Sequence, residues 1–152
     1  MNIDDLEIAD LYQELIVDHS RRPRNFRKLD HATHEAEGFN PLCGDKVKVY
    51  VDVGNGVVRD ISFEGDGCAI SKASASLMTE SVKGKTTAEV EKLFSQFRDL
   101  VTGKDDTHRA SLGKLAVFSG LRGFAARVKC ATLAWHTLHA ALDQTPGRVS
   151  TE

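Results

Sequence analysis

Lys46-Val47-Lys48-Val49-Tyr50-Val51-Asp52-Val53 is followed by Gly54-Asn55-Gly56 and then by Val57-Val58-Arg59-Asp60-Ile61-Ser62-Phe63-Glu64. Four valines alternate with Lys46, Lys48, Tyr50 and Asp52, the period of two that marks a half-buried strand. Asn-Gly accepts positive φ at little cost and closes a tight turn. Residues 57–64 return as a second strand, with Ile61 and Phe63 facing one way. The stretch predicts an antiparallel hairpin with one apolar face that other elements must cover.

Those elements read as helices. Upstream, residues 5–19 are amphipathic, with Ile8, Leu11, Tyr12 and Leu15 on one side and Pro23 as the stop. Arg21, Arg22, Arg24, Arg27 and Lys28 cluster over residues 20–28. They read as a solvated surface, with docking of an acidic partner the less favoured reading. Downstream, from about Ile70, Ala73, Leu77 and Met78 take helical spacing and Gly84 ends the run. Thr86-Thr87-Ala88-Glu89 has capping-box spacing and introduces the stripe Val90, Leu93, Phe94, Phe97, Leu100 and Val101, stopped by Gly103. A polar loop follows over 103–112, then a helical or turn-like stretch broken by Gly120 and Gly123, then a last helix from about Ala126 to Asp143. Helix, hairpin, then several helices is an α+β order: a small antiparallel sheet with helices packed against it. One domain is expected over 1–144, with 145–152 a disordered tail.

The bulk numbers exclude several classes. The 152 residues suit one core, and 41% hydrophobic with 28% charged residues is ordinary globular composition. A net charge of -2 supplies no basic field for nucleic acid. No apolar run approaches a membrane span, and the acidic start lacks the marks of a signal or transit peptide. The expectation is a cytoplasmic, reducing setting. There, dispersed cysteines are metal ligands or reactive thiols rather than disulfide partners.

The chain has three cysteines: Cys43 in Asn40-Pro41-Leu42-Cys43-Gly44-Asp45, Cys68 in Gly65-Asp66-Gly67-Cys68, and Cys130 in Arg127-Val128-Lys129-Cys130. Cys43 and Asp45 are two apart, so in extended backbone they point the same way. Cys68 lies between a glycine bend and a helix start. Cys130 is expected in the first turn of the last helix, where exposed amides favour a thiolate, with Arg127 and Lys129 beside it. It shares a seam of small residues with Ala134, Thr137 and Ala141, next to the core stripe Val128, Ala131, Trp135, Leu138 and Leu142. Cys43, Asp45, Cys68 and Cys130 suit tetrahedral Zn²⁺, and thiolates suit iron–sulfur clusters equally. Three thiolates, a carboxylate and Zn²⁺ sum to about -2, so Arg127 would help neutralise the set. The bland reading, three unrelated small hydrophobes, stays open on spacing alone. His136 and His139 could chelate as i, i+3, but with Lys129, Thr132 and Asp143 they read as a solvated face. His19 reads as capping and dipole chemistry at a helix end. His31, His34 and His108 carry no signal.

At these residues the chain resembles the iron–sulfur assembly proteins related to IscU and NifU. Asn40–Asp45, Gly67-Cys68-Ala69-Ile70-Ser71-Lys72 and Ala126-Arg127-Val128-Lys129-Cys130-Ala131 look like that family's three motifs in order. Tyr12, Asp18, His19, Pro23, Arg24 and Asn25 resemble its opening helix and turn. Two departures point to the SufU-type branch: Lys129 stands where IscU-type scaffolds carry histidine, and the stretch between the second and third motifs is longer. The resemblance implies a three-stranded antiparallel sheet with helices packed on it. It implies Zn²⁺ on Cys43, Asp45, Cys68 and Cys130, and sulfur relay from a PLP-dependent cysteine desulfurase of SufS type to a downstream Suf-type scaffold. Cys43 would be the acceptor and Arg127 the residue that steadies Asp45 or the departing thiolate. An iron–sulfur cluster scaffold using the same ligands and a non-catalytic, zinc-stabilised activator are the alternatives. Neither nucleic acid nor membrane is an expected partner.

Overall fold

The computed structural model describes residues 13–105, 107–144 and 147–150. The hairpin forms as its pattern dictates. Strand β2 (Asp45–Gly54) turns through Asn55 and Gly56, both at positive φ (55° and 73°), into β3 (Val57–Asp66). Two consecutive left-handed residues are the type I′ turn that Asn-Gly favours. Val47, Val49, Val51, Ile61 and Phe63 are buried on the face that the helices cover.

The sheet corrects the expectation of three antiparallel strands. Its order is β3-β2-β1-β4, with β1 at His34–Asn40 and a two-residue β4 at Val149–Ser150 pairing parallel to β1. β4 comes from the segment read as a disordered tail. Gly147 takes φ 86°, and the Arg148 guanidinium lies 4.8 Å from the Phe39 ring centroid. The bonds that β1 leaves open on its outer edge are thus partly paired. Two residues carry no readable period, so the sequence had no way to announce this strand.

Helices cover the other face. The described part of the first helix, α1, spans residues 13–21. Leu15 and Ile16 pack on the core, whereas Ile8, Leu11 and Tyr12 of the expected stripe lie outside the described residues. α2 (Ala69–Val82) and α3 (Thr87–Thr102) follow, and α3 opens on the expected capping box of Thr86 and Glu89. The loop after α3 contains a short α4 (Arg109–Leu112), which runs into a 3₁₀ segment (Gly113–Leu121). α5 (Ala125–Asp143) lies across β1 and β2. Trp135 of α5 is fully buried and stacks on Phe97 and Phe94 of α3, centroids 5.0 and 5.9 Å away. No helix of the described residues is long and apolar enough to cross a membrane.

Two local readings change. His19 is 1% exposed rather than a capping residue at the surface. Its Nδ1 lies 2.7 Å from Ser76 Oγ, which also accepts the Arg24 N–H at 2.8 Å. On the other side of the ring, Nε2 faces Glu80 Oε1 at 3.6 Å. Of the face read as solvated, α3 covers His136, which packs edge-on to Phe94, while His139 stays exposed with its Nδ1 2.8 Å from Glu91 Oε1. One helix's periodicity cannot reveal a second helix laid over its polar face. The basic cluster lies at the surface as expected, Arg21, Arg22, Arg27 and Lys28 exposed, with Arg22 and Arg24 paired on Asp18 and Arg27 on Asp60.

Candidate metal and sulfur site

The site is assembled where β1 turns into β2 against the start of α2 and the second turn of α5. Asn40 and Asp45 face each other across the β1–β2 ladder, so Pro41-Leu42-Cys43-Gly44 is the connecting loop. Asn40 builds that loop: its carbonyl accepts Gly44 N–H at 2.8 Å and its Oδ1 accepts Leu42 N–H at 3.2 Å. Gly44 takes φ 71°, which a side chain would strain. The result is Cys43 on an exposed tip and Asp45 buried at its base, 1% exposed.

The opposite wall is the N-terminus of α2. Cys68 is its N-cap, with Sγ 3.5 Å from Ser71 N–H, while Cys68 N–H donates to Asp45 Oδ1 at 2.9 Å. One helix end with open amides thus supports both a sulfur and a carboxylate, the favourable place for negative charge. Gly67 leaves tight room beside it, since a Cβ there would stand 3.0 Å from Asp45 Oδ1.

Cys130 closes the site from α5. It is fully buried, and it belongs to the second turn of the helix, not the first as expected. The helix end therefore does not favour its thiolate. Burial, and then contact with Cys43, push its thiol far above the usual cysteine range. A divalent cation would reverse that balance by replacing the proton. Its nearest sulfur neighbour is Cys43, Sγ to Sγ 3.2 Å, and Asn40 Nδ2 donates to it at 3.5 Å. The seam of small residues has a definite neighbour: a Cβ on Gly38 of β1 would stand 2.0 Å from Thr137 Oγ1.

The structure brings three of the four residues singled out as ligands into one group, with Cys68 beside it. Donor atoms of Cys43, Asp45 and Cys130 all lie within 4.8 Å of one another. Cys68 Sγ stands at their edge, 3.9 Å from Asp45 Oδ2. Tetrahedral Zn²⁺ with Zn–S near ~2.3 Å spaces its sulfurs about 3.8 Å apart. The four donors therefore fit that ion in type, and Cys43, Asp45 and Cys130 are close enough together to share it. Arg127, exposed on the first turn of α5, is held more firmly protonated by Cys130 and then by the charges of Cys68, Cys130 and Cys43. His136 and His139, set aside as ligands, are engaged with α3. Asn40 was not singled out. An Asx residue opening a Pro/Gly loop was its only sequence signal.

Comparisons with known proteins agree with this geometry. The family described as NifU-like N terminal domain matches residues 11–131. The zinc-dependent sulfurtransferase SufU of Bacillus subtilis is 36% identical over 137 residues, covering 90% of this chain and 92% of that protein. The iron–sulfur cluster assembly scaffold protein IscU of Thermotoga maritima is 40% identical over 134 residues, covering 88% and 94%. The crystal structure of an iron–sulfur cluster assembly scaffold protein for the SUF system from Fervidobacterium islandicum superposes with a TM-score of 0.80 at 36% identity, covering 85% of this chain and 94% of that one.

Proposed function

The chain belongs to the NifU-like N-terminal domain family of iron–sulfur cluster assembly, and on that footing we propose that it is a zinc-dependent sulfurtransferase. It accepts sulfur from the persulfide of a PLP-dependent cysteine desulfurase of SufS type and passes it to a downstream scaffold. The observation that carries this reading is the graded exposure of one ligand set: Cys43 exposed, Cys68 half-buried, Asp45 and Cys130 buried. Of the three thiols, Cys43 is the exposed one, carried on a loop between two strands where a protein-bound persulfide can meet it.

Zn²⁺, when bound to Cys43, Asp45, Cys68 and Cys130, would hold the thiols as thiolates and shield them from oxidation. The remaining work belongs to the chain. Cys68 and Asp45 stay anchored on the α2 N-terminus, and Cys130 stays under Asn40. Cys43 swings on its Pro/Gly loop. Its thiolate attacks the outer sulfur of the donor persulfide. A new S–S bond forms on Cys43, the donor's S–S bond breaks, and the donor cysteine leaves as thiolate. Arg127 supplies positive charge beside the sulfurs while this exchange occurs.

Mass spectrometry after incubation with desulfurase and cysteine tests the reading. A zinc-dependent persulfide on Cys43 is expected, and Cys43→Ala abolishes it. Full stimulation of the desulfurase by Cys43→Ala would instead favour a non-catalytic activator. The scaffold reading is supported by the T. maritima relative's name and by the same soft donors. Anaerobic reconstitution decides it, since a stable cluster transferable to an apo-acceptor would displace the sulfurtransferase reading.

A further inference from the structure

Cys43 and Cys130 are a pair of opposite exposure. Cys43 stands open to solvent on its loop, and Cys130 is fully buried on α5. Their sulfurs lie 3.2 Å apart. That is closer than the about 3.8 Å that a shared tetrahedral Zn²⁺ sets between two sulfurs. A disulfide needs ~2.0 Å, so an approach of about 1.2 Å would join them. The movement belongs to Cys43, because Pro41-Leu42-Cys43-Gly44 joins two strand ends and Gly44 takes φ 71°. Cys130 is held in place by its helix and by Asn40 Nδ2, which donates to its sulfur at 3.5 Å. Cys68 is engaged elsewhere: its sulfur takes the Ser71 N–H at 3.5 Å and lies 3.9 Å from Asp45 Oδ2.

An accessible thiol poised next to a second, resolving thiol is the arrangement of a redox-sensing dithiol. We propose that Cys43 and Cys130 form such a modification site, which takes a small peroxide as reactant and closes to an intramolecular disulfide. The Cys43 thiolate attacks one peroxide oxygen. An S–O bond forms, the O–O bond breaks, and the hydroxide that leaves is protonated to water. Cys43 is then a sulfenic acid, oxidised by two electrons. The Cys130 sulfur attacks Cys43 Sγ: the S–S bond forms, the S–O bond breaks, and the departing hydroxyl takes the Cys130 proton as a second water. Two thiols and one peroxide become one disulfide and two waters. Exposure fixes the order, since solvent reaches Cys43 and not Cys130. The disulfide keeps Cys43 from the sulfinic acid, which thiols do not reverse. An external dithiol restores both thiols by exchange. While closed, the disulfide withholds Cys43 from sulfur exchange, a consequence that rests on the sulfurtransferase reading above.

Hydrogen peroxide added to the full chain, zinc-loaded and chelated, tests this, with unreduced peptides mapped by mass spectrometry. A Cys43–Cys130 disulfide is expected in both samples, reversed by dithiothreitol and accompanied in the loaded sample by release of zinc. In Cys130→Ser, sulfinic acid on Cys43 should rise at least tenfold over wild type. That change removes a buried sulfur, so the wild-type map decides alone where the variant does not fold. Sulfinic acid on wild-type Cys43 with Cys130 still a thiol overturns the proposal. So does a disulfide from Cys43 to Cys68, or one that links two chains. Sulfur uptake from a SufS-type desulfurase should be lost in the oxidised chain and return with dithiothreitol. A reduced wild-type chain that takes up no sulfur removes the sulfurtransferase reading, while a Cys43–Cys130 disulfide in that same chain still upholds the dithiol site.

Discussion

Gly38→Ala tests how closely β1 must approach α5 to set Cys43 against Cys130. A Cβ at Gly38 would stand 2.0 Å from Thr137 Oγ1, 3.1 Å from Leu133 Cδ1 and 3.3 Å from Thr137 Cβ. Gly38 is not at positive φ, so alanine suits its backbone and the cost is contact alone. Either Thr137 rotates and gives up its 2.7 Å hydrogen bond to the Leu133 carbonyl, or the strand lifts off the helix. Overpacking costs about 1–3 kcal/mol, and the lost hydrogen bond about 1 kcal/mol. Their sum, about 2–4 kcal/mol, lowers Tm by roughly 5–15 °C at this size. Thr137→Ala removes the worst contact and leaves overlaps of only a few tenths of an ångström. The double variant should therefore recover at least half the loss. Urea unfolding of wild type, both singles and the double gives the coupling energy, expected at about 1.5 kcal/mol or more. Additive effects, or Gly38→Ala within about 0.5 kcal/mol of wild type, would refute the reasoning. Because Asn40 is two residues further along β1, Gly38→Ala should also weaken zinc retention.

Asn40→Ala should loosen the Cys43 loop and expose Cys130; iodoacetamide labelling of zinc-stripped protein should show Cys130 alkylated faster, and an unchanged Cys130 rate would show that the loop holds itself. Stability should fall as pH drops below about 6.5, because burial lowers the pKa of both His19 and His136. The unfolded chain then binds protons that the native state refuses, at up to about 1.4 kcal/mol per pH unit for each histidine. Urea midpoints at pH 7.5, 6.5 and 5.5 check this, ahead of the carboxylate range where Asp18 and Asp60 titrate. Thr86→Ala, which removes the α3 capping box, should cost about 1 kcal/mol, and a loss below about 0.3 kcal/mol would mean that packing alone defines that helix end. Zinc removal by chelation should lower Tm, with Cys130→Ser abolishing the zinc-dependent part of Tm more completely than Cys43→Ser, since Cys130 is the buried ligand.

The hairpin, the α3 stripe with its cap and the α5 core stripe were legible because each follows from a local period or a local cap. The same is true of the four candidate ligands, which advertise themselves by residue type in glycine-rich bends. Local reading failed where a residue's partner came from far along the chain. His19 looked like a capping residue until Ser76 and Glu80 enclosed it, and His136 looked solvated until Phe94 of α3 packed on it. Val149–Ser150 had no period, and only its pairing with β1 makes it a strand.

For the site itself, the division is the same. The chain by itself determined that three thiols and a carboxylate were available, and that Cys43 rode on a loop able to move. Tertiary structure decided their order. It put Cys130 one turn deeper than its helix start and buried it, set Asp45 on the amides of α2, and left Cys43 at the surface 3.2 Å from Cys130. Exposure and charge compensation are properties of neighbours in space, and which segments become neighbours is a matter of packing.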